Sequence, residues 1–428
     1  MALNAPGEGR FPFKPLPAIQ AAQARRVRSV VSHAYRYVPY YRETMRRLGL
    51  GPDDFNTARD LSKLPVIERD QLQRDAEYFV STAKPIETYV ELNTGGSSGT
   101  PVTIFRHPFA FFRYAVHRER ARRIVLRLTG RRLRYREAAI IPPLRGPSAF
   151  DQRSLLPAWT RVERKHFSIL VPPSEIVGHL NEFRPHVIAS HGSYLEALFA
   201  HLHATGRDFH RPTIASYGSD PMSSAMRRLI SDAYGIHPHG HYGAAEIPHV
   251  AFECERHLGL HVNVDFAPVR IVDPEGRRLP DGESGEVIAS DLHGRGTVLL
   301  NYRLGDLAAT LPEPCPCGRA LPMLSFPEGR SDDWLESASG QPMHPHAATE
   351  PLKTEKDVLR YQVVQEARGR FHIALVTTPE GDQEAIRQRL TSKFVRWFGD
   401  GTAVRISFVD SLPRASSGKV RPIVRADT

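Results

Sequence analysis

A short cluster of glycine, serine and threonine constrains this chain more than any other feature. It reads Thr94-Gly-Gly-Ser-Ser-Gly-Thr-Pro101 and lies between two β-prone segments, residues 88–92 and 102–105. Its glycines permit positive φ and a close approach of the backbone to a ligand. Its hydroxyls and successive backbone amides can donate hydrogen bonds to anionic oxygens. The cluster therefore indicates a phosphate-binding loop between two strands, although a plain surface loop could share this composition. It has no lysine, which distinguishes it from the loop of P-loop enzymes.

The charge balance favours small anionic partners over nucleic acid. The chain has 428 residues, with 57 lysines and arginines against 47 acidic residues, for a net charge of +10. The arginines occur in pairs such as Arg122-Arg123, and no long basic arm is present. A solvated basic surface is one interpretation, and a positive funnel for anionic small molecules is the other.

The sequence also argues against secreted and membrane-spanning classes. Three cysteines are too few for a disulfide framework, so a reducing compartment is expected. No run of eighteen apolar residues is present, and the first residues lack a basic region followed by an apolar stretch. We therefore expect a cytoplasmic protein without a membrane anchor.

Alternating patterns predict an α/β fold with two domains. Between about residues 110 and 270, helical spacing alternates with short apolar runs, as in layered α/β proteins. One helix should begin after an N-cap at Ser223 and end at Gly235. From about 265 to 310 the pattern is mainly β. A large N-terminal domain of mixed sheets and helices is predicted for residues 1–331, and a small α+β domain for residues 332–428.

Five motifs in a fixed order carry a family resemblance. After the loop at 94–101 come Tyr242-Gly-Ala-Ala-Glu246, Asn301-Tyr-Arg-Leu-Gly-Asp306, Gly329-Arg-Ser-Asp-Asp333 and Pro413-Arg-Ala-Ser-Ser-Gly-Lys-Val-Arg421. In this order they resemble the core motifs of the adenylate-forming (ANL) enzymes. The spelling of the first and fourth motifs resembles the phenylacetate–coenzyme A ligase branch in particular.

The resemblance implies a nucleotide site built from separate segments. It places ATP phosphates on Thr94, Gly95, Gly96, Ser97, Ser98, Gly99 and Thr100, and the adenine beside Gly218, Ser219, Asp220 and Pro221. Tyr242 would stack on the adenine, and Gly243, Ala244 and Ala245 would follow it along the nucleotide. Asp306 would accept hydrogen bonds from the ribose hydroxyls, which suits an ionised carboxylate. Arg330 would reach the ribose or a phosphate.

The resemblance also assigns the catalytic groups. Glu246 would bind the magnesium ion of ATP, because Mg²⁺ is held by one or two carboxylates together with phosphate oxygens. Lys419 would lie over the reacting carboxylate and the α-phosphate, where a positive charge stabilises the transition state. The small C-terminal domain would be mobile, with Asp332 or Asp333 as its hinge.

Two departures from the family pattern affect the expected chemistry. Ala245 stands where the family usually has a hydroxyl residue, and one lost hydrogen bond costs about 1 kcal/mol. The residues after Asp333 also differ from the loop that normally grips coenzyme A.

The cysteines indicate a structural zinc site. Cys254, Cys315 and Cys317 are the only cysteines, and His257 and His261 follow the first of them. Three thiolates and one imidazole form a closed tetrahedral zinc site, which some members of the ligase branch carry. His261 is the preferred fourth ligand and His257 the alternative. Three unrelated buried cysteines would be the plainer interpretation.

The predicted function is ATP-dependent activation of a carboxylic acid, expected to be aromatic, followed by transfer to the thiol of coenzyme A. His191, Gly192 and Tyr194 are the candidate acid-pocket residues. One alternative keeps the adenylation but transfers the acyl group to a carrier-protein pantetheine thiol or to an amine. Another is a non-catalytic nucleotide-binding protein on a ligase scaffold, motivated by Ala245. The sequence fits either a monomer or a homodimer.

Overall fold

The structure is a computed structural model that describes residues 5–93, 102–141, 162–327, 329–330, 335–343, 345–413 and 420–426. The predicted phosphate loop at 94–101, the hinge residues Asp332 and Asp333, and Lys419 lie outside these residues.

Four helices open the chain: α1 (Ala5–Glu8), α2 (Leu16–Tyr37), α3 (Pro39–Arg47) and α4 (Arg69–Arg74). Pro39 is the first residue of α3, and Val38 before it has extended backbone angles of φ −111° and ψ 119°. A residue before proline is pushed out of the helical region, so the break between α2 and α3 follows directly from the sequence. Short 3₁₀ turns at Phe11–Phe13, Pro52–Asp54, Ala58–Lys63, Glu77–Phe79 and Ile86–Thr88 connect these pieces.

Two paired strands flank residues 94–101 in the sequence. Strands β1 (Val90–Asn93) and β2 (Thr103–Arg106) pair antiparallel, with Asn93 opposite Thr103. The sequence-based expectation of strands on both sides of residues 94–101 is thus confirmed.

Twelve strands of the described chain form one large mixed sheet. Its parallel half consists of β3 (Arg136–Ile141), β4 (Glu163–Ser168), β5 (Val187–His191), β6 (Ile214–Gly218) and β7 (His237–Tyr242). The order across this half is β4-β3-β5-β6-β7, and every neighbouring pair is parallel. The carboxyl ends of these strands therefore meet at one edge, where open α/β sheets bind ligands.

The antiparallel half continues from β7. It comprises β8 (Ala251–Glu253), β9 (Leu260–Val262), β10 (Val269–Val272), β11 (Ser284–Ala289), β12 (Tyr302–Leu311), β13 (Met323–Leu324) and β14 (Gly329–Arg330). The order is β7-β8-β9-β13-β12-β11-β10, with β14 also paired to β12.

Five helices of the described residues accompany the sheet: α5 (Pro108–His117), α6 (Glu119–Leu128), α7 (Pro173–Phe183), α8 (Gly192–Thr205) and α9 (Ser224–Tyr234). The predicted caps of α9 are confirmed, because the Ser223 hydroxyl accepts from the Met226 amide at 3.2 Å and Gly235 has a φ of 65°. None of the described helices is long and apolar enough to cross a bilayer.

The C-terminal region has its own core. Strands β15 (Leu335–Glu336) and β16 (Pro342–Met343) pair, helix α10 (Pro345–Lys353) follows, and four strands form a sheet of order β19-β18-β17-β20. These strands are β17 (Val358–Ala367), β18 (Arg370–Thr377), β19 (Ala403–Phe408) and β20 (Ile423–Arg425). Helix α11 (Gln383–Phe398) is capped by Asp382, as predicted, and packs Ile386, Leu390 and Phe394 into this core.

A buried ion pair joins this region to the rest of the molecule. Arg360 on β17 donates from Nε to Oε2 of Glu196 on α8 at 3.0 Å, and both residues are buried. Beside the pair, the Ser223 hydroxyl donates to the carbonyl of Leu359 at 2.8 Å.

Candidate active site

Three neighbouring parallel strands end at the centre of the candidate site. β5 ends at His191, β6 at Gly218 and β7 at Tyr242, and His191 lies opposite Gly218 in the sheet register. A small cavity beyond these ends is lined by residues from well-separated motifs: Ser219, Asp220, Pro221, Tyr242, Gly243 and Asp306. Most of the residues predicted for the adenine and ribose thus come together.

Tyr242 and Asp306 are in direct contact. The Tyr242 hydroxyl donates to Oδ2 of Asp306 at 2.9 Å, although 64 residues separate them in the sequence. Asp306 lies on β12 opposite Arg330 on β14, so the main chain of Arg330 lies beside Asp306. The half-buried carboxylate of Asp306 can therefore accept hydrogen bonds beside the buried ring of Tyr242.

The turn after β6 has an unusual backbone. Ser219 has a φ of 70°, in the left-handed region that non-glycine residues rarely adopt. Such conformations are concentrated at binding and catalytic sites. Gly192 allows this turn to pack on the start of α8, because a Cβ at Gly192 would lie 2.4 Å from the Pro221 carbonyl oxygen.

The segment after β7 is held by two arginines that the sequence analysis missed. Nη2 of Arg106 donates to the carbonyls of Ala245 (2.5 Å) and Glu246 (2.7 Å). Nη1 of Arg106 contacts the buried carboxylate of Asp291 at 3.0 Å. Oε1 of Glu246, which is itself buried, accepts from Arg69 at 2.7 Å. No local pattern marks Arg69 or Arg106, because Ala245, Glu246 and Asp291 lie more than a hundred residues away from them in the sequence.

Of the three candidate acid-pocket residues, His191 lines a second, larger cavity of about 420 Å³. Gly192 and Tyr194 are not among its lining residues. Tyr194 is fully buried in the core around α8, and its hydroxyl donates to the Val171 carbonyl at 2.7 Å. Tyr242, Gly218 and Ser219 line the large cavity too, so it adjoins the small cavity at the strand ends.

The large cavity lies along one face of the parallel sheet. Two strands contribute to its lining, with Glu137 and Ile141 from β3 and Val187, Ala189, Ser190 and His191 from β5. Residues 115–122, at the junction of α5 and α6, form the opposite wall.

The predicted zinc ligands also come together. The ligand atoms of Cys254, His261, Cys315 and Cys317 lie within 4.8 Å of one another. The Sγ atoms of Cys254 and Cys315 are 3.6 Å apart, and Sγ of Cys317 is 3.3 Å from Nε2 of His261. Bonds of roughly 2.0–2.3 Å to a tetrahedral zinc put ligand atoms about 3.5–3.8 Å apart, so the set fits this ion.

His257, the alternative ligand, is engaged elsewhere. Its Nδ1 contacts Glu253 at 2.7 Å, and its Nε2 contacts His237 at 3.3 Å. Within the described residues, His261 is thus the histidine that accompanies the three cysteines.

Comparison with known proteins agrees with this architecture. The chain aligns over 97% of its length, with a TM-score of 0.80 and 18% identity, to 91% of 2-hydroxyisobutyryl-CoA ligase in the postadenylation state in complex with R3-HIB-AMP. The same ligase in the thioesterification state, in complex with 2-HIB-AMP and CoA, gives a TM-score of 0.62 at 17% identity, with the same 97% and 91% coverage. The fold matches that of solved adenylate-forming CoA ligases, as predicted.

Sequence comparison shows which ligases this chain is similar to. The chain is 26% identical to phenylacetate–coenzyme A ligase of Thermus thermophilus over 449 residues, covering 96% of this chain and 97% of that one. The CapK C-terminal domain family matches residues 335–426. The chain is thus similar to phenylacetate–coenzyme A ligases, which confirms the resemblance found in the motifs.

Proposed function

We propose that this protein uses ATP to convert a carboxylic acid to an acyl-adenylate and then transfers the acyl group to the thiol of coenzyme A. The observation that carries the proposal is the meeting of two cavities at the carboxyl ends of β5, β6 and β7. Most of the predicted adenine and ribose residues line the small cavity, and two of them, Ser219 and Tyr242, also line the large cavity. A bound acid would thus have its carboxyl group next to the nucleotide.

On this proposal, the nucleoside is held by the Tyr242–Asp306 pair. The Tyr242 ring forms an apolar wall for the adenine, and Asp306 accepts from the ribose hydroxyls. The Tyr242 hydroxyl already occupies one lone pair of Oδ2, which fixes the orientation of the carboxylate. The phosphates would be held by the hydroxyls and amides of residues 94–100, which follow directly after β1.

Glu246 is the proposed magnesium ligand, and Arg69 would compete with the ion. A carboxylate already paired with a guanidinium attracts a second cation less strongly. Mg²⁺ that arrives with ATP would therefore either share the Glu246 carboxylate with Arg69 or displace Arg69 from it. Arg106 binds the Ala245 carbonyl and holds the backbone at this position. The position of this backbone therefore does not depend on the side-chain hydroxyl that Ala245 lacks.

Lys419 is the proposed catalytic lysine, as an ammonium group that stabilises charge on the reacting carboxylate and the α-phosphate. The better superposition on a postadenylation state than on a thioesterification state supports an arrangement suited to the first half-reaction. Coenzyme A would then react after the C-terminal domain moves about residues 332–333.

We also propose that Cys254, His261, Cys315 and Cys317 hold a zinc ion. All four positions of a tetrahedral ion would be filled by protein, so the ion would be structural. It would tie the segment after β8 to residues 315–317.

The experiment is to incubate the protein with Mg·ATP, coenzyme A and a panel of aryl and short-chain acids, and to identify products by mass spectrometry. The proposal predicts AMP, pyrophosphate and a coenzyme A thioester from at least one acid. Acyl-adenylate without thioester would favour a carrier-protein thiol or an amine as the acceptor. Nucleotide binding without pyrophosphate release from any acid would contradict the proposal and favour the non-catalytic alternative.

A further inference from the structure

Phe252 links the wall of the large cavity to the cysteine–histidine set, which consists of Cys254, His261, Cys315 and Cys317. It lies on β8, is 3% exposed and lines the cavity. In the register of β8 and β9 it is directly opposite His261. The two rings stack, with centroids 5.7 Å apart and planes inclined by 30°. The His261 ring therefore supports the Phe252 ring from the side of the set.

One apolar cluster contains both this wall residue and two of the proposed metal ligands. Phe252 packs in the same cluster as Cys254 and Cys315, together with Leu321 and Met323. Protein interiors are close-packed and contain few voids, so they transmit small displacements. A change in the position of the ligands would therefore reach Phe252.

The segment that carries the first cysteine is also tied to α6, which lines the cavity across from the sheet. Glu255 directly follows Cys254 and accepts from both terminal nitrogens of Arg319, at 2.7 and 3.0 Å. The same carboxylate accepts from Arg127 of α6 at 3.1 Å. The set thus lies between two elements that line the large cavity.

The position of the His261 ring depends on the set as well. The residue is fully buried, and its Nε2 lies 3.3 Å from Sγ of Cys317. Ligation to zinc would fix both the place and the plane of this ring, because the Zn–N bond has a defined length and a tetrahedral direction. Without the metal, packing alone would hold His261, and the Phe252 ring stacked on it would be free to shift.

We propose that Phe252 determines which acids fit the large cavity, and that the cysteine–histidine set is a positioning element that holds Phe252 through the His261 ring. The inference rests on the proposed function, because it assumes that the large cavity holds the acid and that the set holds zinc. A large side chain in the wall sets the width available to a ligand, and one methylene in such a pocket changes selection by roughly 10- to 200-fold. The set thus controls the selection of acids without touching them.

The test measures zinc content and the selection between two acids of different width, phenylacetate and 2-naphthylacetate. Selection is the kcat/KM for 2-naphthylacetate divided by that for phenylacetate, in acid-dependent ATP–pyrophosphate exchange. Phe252→Leu reduces the wall and should retain one zinc per chain, while this ratio rises about tenfold. Phe55→Leu is the matched control, because Phe55 is also buried and is not among the residues that line either cavity. Its ratio should equal that of the wild type.

Cys315→Ser tests the positioning role. It removes one metal ligand and keeps both stacked rings, so zinc should be lost and the ratio should rise by a smaller factor than in Phe252→Leu. The double variant Phe252→Leu/Cys315→Ser should have the ratio of Phe252→Leu alone, because the set acts through that ring. A merely structural role of the set would lower turnover of both acids in proportion and leave the ratio unchanged.

Calorimetric titration of the two acids into each variant provides a readout that is independent of turnover, and the ratio of the Kd values should change in the same way. An unchanged ratio in Phe252→Leu would overturn the role of Phe252. An unchanged ratio in zinc-free Cys315→Ser, zinc retained in that variant, or a wild-type protein without zinc would overturn the positioning role. These results would leave the ligase function standing.

The wild-type protein separates this inference from the proposed function. If it binds the acids with these changes in ratio but exchanges with neither, the result supports the inference and counts against the proposed function. If it binds neither acid, the inference is overturned.

Discussion

At the scale of single residues, the candidate site depends on side chains that approach each other from distant parts of the sequence. The Tyr242–Asp306 hydrogen bond joins two motifs 64 residues apart. Arg106 joins the end of the β1–β2 hairpin to Ala245, Glu246 and Asp291. These contacts fix the positions of the groups that would bind the nucleotide.

Replacing Asp306 should weaken nucleotide binding. Asp306→Asn removes the charge that would accept the ribose hydroxyls, and charge-assisted hydrogen bonds are worth roughly 1.5–3 kcal/mol. The Kd for ATP, measured by calorimetry, should rise by a factor of about ten or more. Tyr242→Phe is the matched control, since it keeps the ring and should cost about 1 kcal/mol or less. An unchanged Kd for Asp306→Asn would exclude Asp306 from the nucleotide site.

The sequence predicted the site residues that lie in ordered motifs. It did not predict the site residues whose role is visible only from their contacts in the folded protein. Ser219, Tyr242 and Asp306 were predicted through their motifs and meet in one cavity. Arg69 and Arg106 were not predicted, because an arginine in an arginine-rich chain carries no local signal of a buried partner. Tyr194 was predicted to line the acid pocket and comes shortly after the end of β5, but its side chain packs into the core around α8.

At the scale of elements, local signals were reliable where backbone chemistry decides the outcome. Pro39, Ser223, Gly235 and Asp382 mark helix ends in the structure as they do in the sequence. The strand order of the large sheet has no such signal, because it depends on pairings between segments far apart in the chain.

The cysteine cluster should bind one zinc ion per chain. Elemental analysis of the purified protein should find this ratio in the wild type and near zero in His261→Ala or Cys315→Ser. The thermal midpoint should fall in both variants, since structural zinc contributes directly to folding. His257→Ala is the control, because His257 contacts Glu253 and His237 instead. Loss of metal from His257→Ala with retention in His261→Ala would reverse the assignment.

At the scale of the whole molecule, the Glu196–Arg360 pair links the C-terminal sheet to α8. Burial raises the pKa of Glu196, and the Arg360 guanidinium opposes this shift. The arrangement of the two regions could not be predicted from the sequence, because neither residue belongs to a motif.

Arg360→Met should slow the first half-reaction selectively. It leaves Glu196 buried without this partner, and breaking a buried pair costs about 3–5 kcal/mol. On the proposed function, the arrangement of the two regions that serves adenylation would then become less populated. Single-turnover pyrophosphate release should fall about tenfold or more, whereas thioester formation from added acyl-adenylate should not. The double variant Glu196→Gln/Arg360→Met should recover part of the loss. Equal losses in both half-reactions would contradict a role specific to adenylation.

Stability should fall as the medium becomes mildly acidic. Burial lowers the pKa of His33 and His241 to about 4 and that of His249 to about 3. Each lowered pKa means that the unfolded chain binds a proton more readily than the folded chain. The stabilisation is complete above the unfolded value of about 6.5 and is lost as the pH falls toward the folded value. Urea midpoints should therefore decrease steadily from pH 7 to pH 5. A flat profile over this interval would contradict the lowered pKa values of these histidines.

The central claim is that the chain forms an acyl-adenylate, and acid-dependent ATP–pyrophosphate exchange measures this step directly. The wild-type protein should exchange label between pyrophosphate and ATP only when a suitable acid is present. Lys419→Ala should abolish the exchange while ATP still binds, and Lys356→Ala, at an exposed lysine of the same region, should leave it intact. Exchange that is independent of the acid, or unaffected in Lys419→Ala, would contradict the account.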